Sequence, residues 1–244
     1  MKDIIFNRFN ELARQTSFEA RGLVLNNNSI VTLGSDSKLI GRIFELITHG
    51  LLVQICNENH WVLEETESQT VYPDFTIHGN NSRIAIDVKS TYRRYNNNNE
   101  LLRFGFTLGS FASFLRDNTK NIQYPYDTYT NHFVIGFVYD RVTLANAGQI
   151  KTLTDEIQVP YNNVEFFIQE KHKISGDKPG SGNTENIGSF LSNDIRDFIN
   201  GNGPFASLGI TVFEDYWKNY PKYRASSRLY TNLNEYFTFR NINV

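Results

Sequence analysis

The chain holds one cysteine, Cys56, in 244 residues. A single thiol excludes an internal disulfide and a thiolate-built zinc site, and it fits a reducing compartment. With Leu51, Leu52, Val53 and Ile55 around it, Cys56 reads as a small buried hydrophobe. Excess charge is missing too. Its 24 basic and 26 acidic residues leave a net charge of -2 and a pI of about 6.2, so no overall basic field marks a nucleic-acid partner. Any such surface must be local. The start, Met1 to Asn7, lacks the long apolar core of a signal peptide, and no later run reads as a membrane span. The expectation is a cytoplasmic protein without a membrane partner. Internal repeats and a clean linker are also absent. At 40% hydrophobic residues the chain can bury one sizeable core, and the reading is a single mixed α/β or α+β domain over residues 1–244.

What is present is more specific. Ile84-Ala85-Ile86-Asp87-Val88-Lys89 alternates, so Ile84, Ile86 and Val88 share one strand face while Ala85, Asp87 and Lys89 share the other. Phe75-Thr76-Ile77-His78 reads as a second strand, and Gly79-Asn80-Asn81-Ser82 between the two is a turn signal. A hairpin that sets His78 opposite Arg83 would, in the same register, set Asp74 opposite Asp87. Opposed carboxylates repel, and a cation between them resolves the conflict. Oxygen ligands favour Mg²⁺, which is commonly held by two carboxylates together with waters and substrate phosphate oxygens. Lys89 adds a positive charge that can stabilise a phosphate in reaction or help deprotonate an attacking water. The pattern is that of a metal-dependent nuclease site. A plainer reading also stands: Asp74 caps a turn, and Asp87 pairs with Lys89 on a solvated strand face.

Elsewhere, apolar spacing predicts a helix over residues 3–15. A second helix, capped by Ser35 or Asp36, carries Leu39, Ile43, Phe44, Ile47 and Leu51 and is interrupted near Thr48-His49-Gly50. Glu45 on that helix reads as an ordinary solvated residue. Residues 93–100, with four consecutive asparagines, read as a mobile loop, and 110–117 as a helix. The run from His132 to Tyr139 reads as a central strand covered on both faces, Val164 to Ile168 as another strand, and 212–220 and 233–239 as helices. Gly176 to Ser189 is dense in glycine. It is not a phosphate loop, because Asn183 follows Gly182 where a Walker pattern needs lysine. It reads either as a flexible surface loop or as one whose glycines let backbone approach base edges while Asn183 and Thr184 hydrogen-bond to them.

Taken together, these segments resemble the PD…(D/E)xK nucleases and, within them, the EcoRV-type type II restriction endonucleases. The resemblance runs in order through Leu33-Gly34-Ser35-Asp36, Ile43-Phe44-Glu45-Leu46, Tyr72-Pro73-Asp74-Phe75-Thr76 and Ile84-Ala85-Ile86-Asp87. It continues through Phe106-Thr107-Leu108-Gly109, Asn118-Thr119-Lys120-Asn121-Ile122 and Gly180-Ser181-Gly182-Asn183-Thr184, and so covers most of the chain. It implies a mixed central sheet flanked by helices, and a U-shaped homodimer that holds double-stranded DNA and to which the N-terminal helical part contributes. It also implies Mg²⁺-dependent hydrolysis of one phosphodiester in each strand.

By the same resemblance Asp74 and Asp87 are metal ligands, Lys89 is the catalytic lysine and Glu45 is an auxiliary acidic residue at the metal. Gly180, Ser181, Gly182, Asn183, Thr184 and Asn186 form the major-groove recognition segment. Gln69 lies in a second DNA-contacting loop, and Thr107, Ser113, Asn118 and Lys120 lie near the DNA backbone. The implied target is GATATC, cut bluntly at its centre, with a cognate DNA methyltransferase protecting host DNA. The chain departs from the family pattern in three places. Glu67-Ser68-Gln69-Thr70 replaces consecutive glutamines followed by asparagine, Ala112 replaces a threonine, and Asn241-Ile242-Asn243-Val244 replaces a basic tail. Two other readings are a nuclease with another role, such as repair, and a DNA-binding protein without catalysis.

Overall fold

The computed structural model describes residues 1–68, 70–143, 147–152, 156–180, 185–221 and 228–242. Its centre is a five-stranded mixed sheet in the order β3 (Val62–Glu65), β4 (Phe75–Gly79), β5 (Ser82–Tyr92), β7 (Asn131–Arg141), β9 (Tyr161–Glu170). β5 and β7 are parallel; every other neighbouring pair is antiparallel. The β4–β5 hairpin closes through Asn80 and Asn81, both at positive φ (50° and 55°). That geometry suits a two-residue primed turn, for which asparagine is among the best residues. The register sets His78 opposite Arg83 and Phe75 opposite Ile86, as the sequence predicts.

The burial of β7 explains its nearly continuous apolar run. Phe133, Ile135, Phe137 and Tyr139 join one core with the helices α1 (Lys2–Arg14) and α2 (Ser37–Asn59). Val134 and Val138 join a second, aromatic core on the opposite side with Phe106, Phe111, Phe114, Phe198 and Trp217. The helices α4 (Ile195–Asn200), α5 (Ile210–Asn219) and α6 (Leu233–Arg240) contribute Phe198, Trp217 and Tyr236 to that second core.

Three expectations change. The helix α2 runs unbroken through Gly50, because Leu51, Leu52, Ile55 and Cys56 continue its buried stripe and tertiary packing overrides one poor helix former. A Cβ on Gly50 would meet nothing within 4 Å. Gly50→Ala is therefore expected to stabilise the protein by roughly 0.5–1 kcal/mol, read as a higher urea midpoint at unchanged slope. The same helix is long and apolar enough by length and composition to cross a membrane, unlike the sequence reading, but its buried residues pack in the core beside the sheet. Residues 111–121 form consecutive turns instead of a helix, pinned by Arg116 and Asp117 N–H groups donating to the Ser113 carbonyl. The polar run 93–100 is a loop closed by Asn96 N–H to the Glu100 carbonyl and Asn99 N–H to the Asn96 carbonyl.

Two further sheets had no signal in the sequence. One joins β1 (Gly22–Val24), β2 (Ile30–Thr32) and β8 (Ile150–Lys151). The other joins β10 (Ser175–Pro179), β11 (Asn186–Ser189) and β6 (Thr107–Ser110).

Candidate active site

Asp74 sits one residue before β4, so it is not itself in the ladder. Its Oδ2 accepts a hydrogen bond from the Val88 backbone N–H at 2.6 Å. That bond lays the Asp74 carboxylate across β5 beside Asp87 and Lys89. Lys89 Nζ lies 2.9 Å from Asp87 Oδ2 and 3.9 Å from Asp74 Oδ2. Asp87 is only 3% exposed, which removes the reading of a solvated strand face although its pairing with Lys89 is real. Burial and the like charge of Asp87 push the Asp74 carboxyl above its usual range, against the pull of Lys89 and the Val88 N–H. Burial pulls the Lys89 ammonium down, but Asp87 and Asp74 more than offset it and hold it up at about 12. Lys89 therefore stays protonated near neutral pH and acts as a fixed positive charge.

A cleft of about 700 Å³ opens onto Asp74 and Lys89, and Lys38, Arg42, Glu45 and Glu65 also line it. Glu45 thus borders the same space, but its carboxylate is engaged by Arg42 at 2.8 Å, and Arg42 also binds Glu65 at 2.9 Å. The structure does not gather Glu45 with Asp74 and Asp87. Among the described residues, no cluster of three or more His, Cys, Asp or Glu side chains could enclose a metal ion. A pair of carboxylates is nonetheless the donor set that suits Mg²⁺, which keeps most of its waters. The chemistry of the pair fits that ion.

The glycine-rich segment is anchored at both ends. β10 pairs with β11, and Gly180 N–H donates to the Asn186 carbonyl at 2.9 Å across the base of the loop. Asn186 lies opposite Ser110 of β6, and Phe111 N–H donates to the Glu185 carbonyl. Trp217 Nε1–H donates to Ser175 Oγ and the Tyr216 hydroxyl to the Asp177 carbonyl, so α5 braces the far strand. A Cβ on Gly180 would come within 3.3 Å of Thr107 Oγ1, so Thr107 packs against the loop base. Ser181, Gly182, Asn183, Thr184 and Gln69 lie outside the described residues. Asn118 and Lys120 are exposed on the turns after Phe114, where the Asn118 side chain accepts from Asp127 N–H. Ser113 is 5% exposed, and its side chain is turned into the protein.

Sequence reasoning passed over two residues here. Arg42 carried no signal beyond a charge on a helix. Lys171, the first residue of α3 (Lys171–Ile174), is 2% exposed and on the same side of the sheet as Asp87. A lysine directly after a strand gives no hint of burial.

Comparison with known proteins agrees with this geometry. The chain is 41% identical over 230 residues to the type II restriction enzyme EcoRV of Escherichia coli, covering 90% of this chain and 89% of the relative. Among solved structures it aligns with the NlaIV restriction endonuclease at a TM-score of 0.42 and 12% identity, covering 98% of this chain and 89% of that one. The family model for restriction endonuclease EcoRV matches residues 14–241, and with it the chain belongs to the EcoRV restriction endonuclease family.

Proposed function

We propose that the protein is a type II restriction endonuclease that cuts double-stranded DNA at GATATC, bluntly and at the centre, with Mg²⁺ held by Asp74 and Asp87. The observation that carries the chemistry is the convergence of a buried Asp87, a backbone-pinned Asp74 and a protonated Lys89 at the floor of one cleft. When bound, Mg²⁺ supplies Lewis-acid activation of a water and of the phosphate oxygens. The protein's own groups do the rest. The Val88 N–H fixes the angle of the Asp74 carboxylate, and the β5 pleat fixes that of Asp87. Lys89 places a positive charge where a scissile phosphate gains negative charge. The family pattern assigns Glu45 an auxiliary acidic role, which here requires Arg42 to release it; exposed ion pairs of this kind are weak enough to exchange for a phosphate.

The target sequence rests on the recognition segment Gly180 to Asn186 and its match to the family. A homodimer follows from the two-fold symmetry of a palindrome, and a cognate methyltransferase would protect host DNA. The whole chain, residues 1–244, acts as one endonuclease domain whose N-terminal helical part contributes to the dimer.

Plasmid DNA incubated with the purified protein and Mg²⁺ should be cut to blunt ends mapping within GATATC. With Ca²⁺ in place of Mg²⁺, specific binding should persist while cleavage falls to background, because looser coordination does not hold water and phosphate in line. Efficient cutting in EDTA would refute the metal mechanism, and ends at another sequence would refute the target alone.

A further inference from the structure

Lys171 is the most anomalous charge in the molecule. Its side chain is almost wholly buried, and among the described residues its ammonium has no hydrogen-bond partner. An ammonium withdrawn from water without compensation costs several kcal/mol, so the fold must answer it electrostatically. The Nζ sits 3.8 Å from the centroid of the Tyr72 ring and 5.3 Å from that of Phe114, two rings that stack on each other at 4.4 Å. A desolvated cation over a tyrosine face gains about 2 kcal/mol, which covers only part of that cost.

The remaining answer comes from the carboxylates. Burial pushes the Lys171 ammonium down to about 8, while Asp87 and Asp74 draw it up and Lys89 opposes them. It therefore keeps its proton in most molecules at neutral pH. The neighbouring imidazole of His132 is held neutral by burial and by Lys171 itself, so it brings no second cation. Tyr72, the seat of the ammonium, is two residues before Asp74, and its backbone is clamped by Asn121 and Gln123. The site thus holds two carboxylates and two ammonium groups, and without DNA its formal charge is zero.

We propose that Lys171 is a positioning residue of the cleavage site: seated on Tyr72, its buried ammonium is the internal counter-charge of the Asp74–Asp87 pair and keeps that pair's hold on a divalent cation weak until DNA arrives. The scissile phosphate then supplies the negative charge that the neutral site lacks, so metal occupancy becomes linked to substrate. The inference rests on the assignment of Asp74 and Asp87 as metal carboxylates.

The test is Ca²⁺ binding to the DNA-free protein, followed by calorimetry and by the rise in Tm with added Ca²⁺. Lys171→Met keeps the apolar stem and removes the charge. It should bind Ca²⁺ at least about fivefold more tightly than the parent, as expected when one unit of repulsion is removed at close range, and show the larger Tm rise. Lys171→Arg, which retains the charge, should bind as the parent does. A purely structural role would leave affinity unchanged or weaken it, and either result in a Lys171→Met protein that melts cooperatively in EDTA overturns the proposal. If Lys171→Met does not melt cooperatively, Lys171→Gln takes its place under the same criterion. Asp87→Asn serves as the control that separates the two readings. If it binds Ca²⁺ as well as the parent does, or if no variant binds at all, the metal assignment fails and the proposal with it. If Asp87→Asn alone loses Ca²⁺ while Lys171→Met matches the parent, only the role of Lys171 is lost.

Discussion

Replacing Asp87 by alanine is expected to lower Mg²⁺-dependent cleavage of a GATATC duplex by roughly a thousandfold or more, the loss of several kcal/mol of Lewis-acid stabilisation. Asp87 is one of only two carboxylates at the site, so no neighbour replaces it. Its removal also leaves Lys89 without its 2.9 Å partner, and a stability loss must be separated from the chemical one. Asp87→Asn, nearly isosteric, serves that purpose, with near-ultraviolet circular dichroism confirming the fold. Asp74→Ala should behave alike and would also leave the Val88 N–H without its acceptor. Lys89→Met is the informative contrast. Loss of a positive charge at the phosphate should cost about 10²–10³ in rate, with Ca²⁺ binding retained because an ammonium cannot be a metal ligand. Near-parental cleavage by either aspartate variant would remove the site assignment. Loss of Ca²⁺ binding in Lys89→Met equal to that in Asp87→Asn would contradict the division of roles.

The second large effect concerns the recognition segment. Asn183→Ala or Thr184→Ala should reduce the preference for GATATC over single-base variants by roughly 1–3 kcal/mol for each base edge that is no longer read, with nonspecific binding little changed. Gly188→Ala attacks the same function from its support. A Cβ there would lie 2.8 Å from the Lys178 carbonyl oxygen and 3.0 Å from the Gly180 nitrogen, both backbone atoms that cannot swing aside. The β10–β11 pairing would have to open, so specific cleavage should fall as far as in the loop variants while Tm changes modestly. Lys120→Ala, on an exposed turn, should instead weaken binding to all sequences alike and reduce its salt dependence. Cleavage kinetics on the GATATC duplex and its variants, with binding at several salt concentrations, decide the matter. A loop variant with unchanged sequence preference would refute the recognition assignment and leave the nuclease chemistry intact.

The residues differ in how far their roles were legible beforehand. The hairpin of β4 and β5 was readable because its causes are local: alternation, a run of turn residues and the rigid counting of an antiparallel register. The same counting brought Asp74 to Asp87, although Asp74 reaches it through the Val88 N–H and not through the ladder. The helix α1, the cap at Asp36 and the two-sided burial of β7 were legible for the same reason. At Gly50 local preference pointed the wrong way, because the decision came from burial of Leu51, Leu52 and Ile55 beside the sheet. Residues 110–117 showed apolar spacing, yet Phe111 and Phe114 serve the aromatic core from a chain of turns.

What the sequence by itself determined is the strand pair, its register, the chemistry of the two carboxylates and the lysine, and the family to which their order belongs. These depend on neighbours within about fifteen positions, where pleat and turn geometry leave few choices. Only the tertiary structure decided that Asp87 is buried, that Glu45 is held by Arg42 and Lys171 is drawn under the site, and that β6 and α5 brace the recognition hairpin. Each of those depends on contacts between segments far apart in the chain. Charge, unlike hydrophobic periodicity, leaves no repeating trace in sequence to show which partner the fold will bring to it.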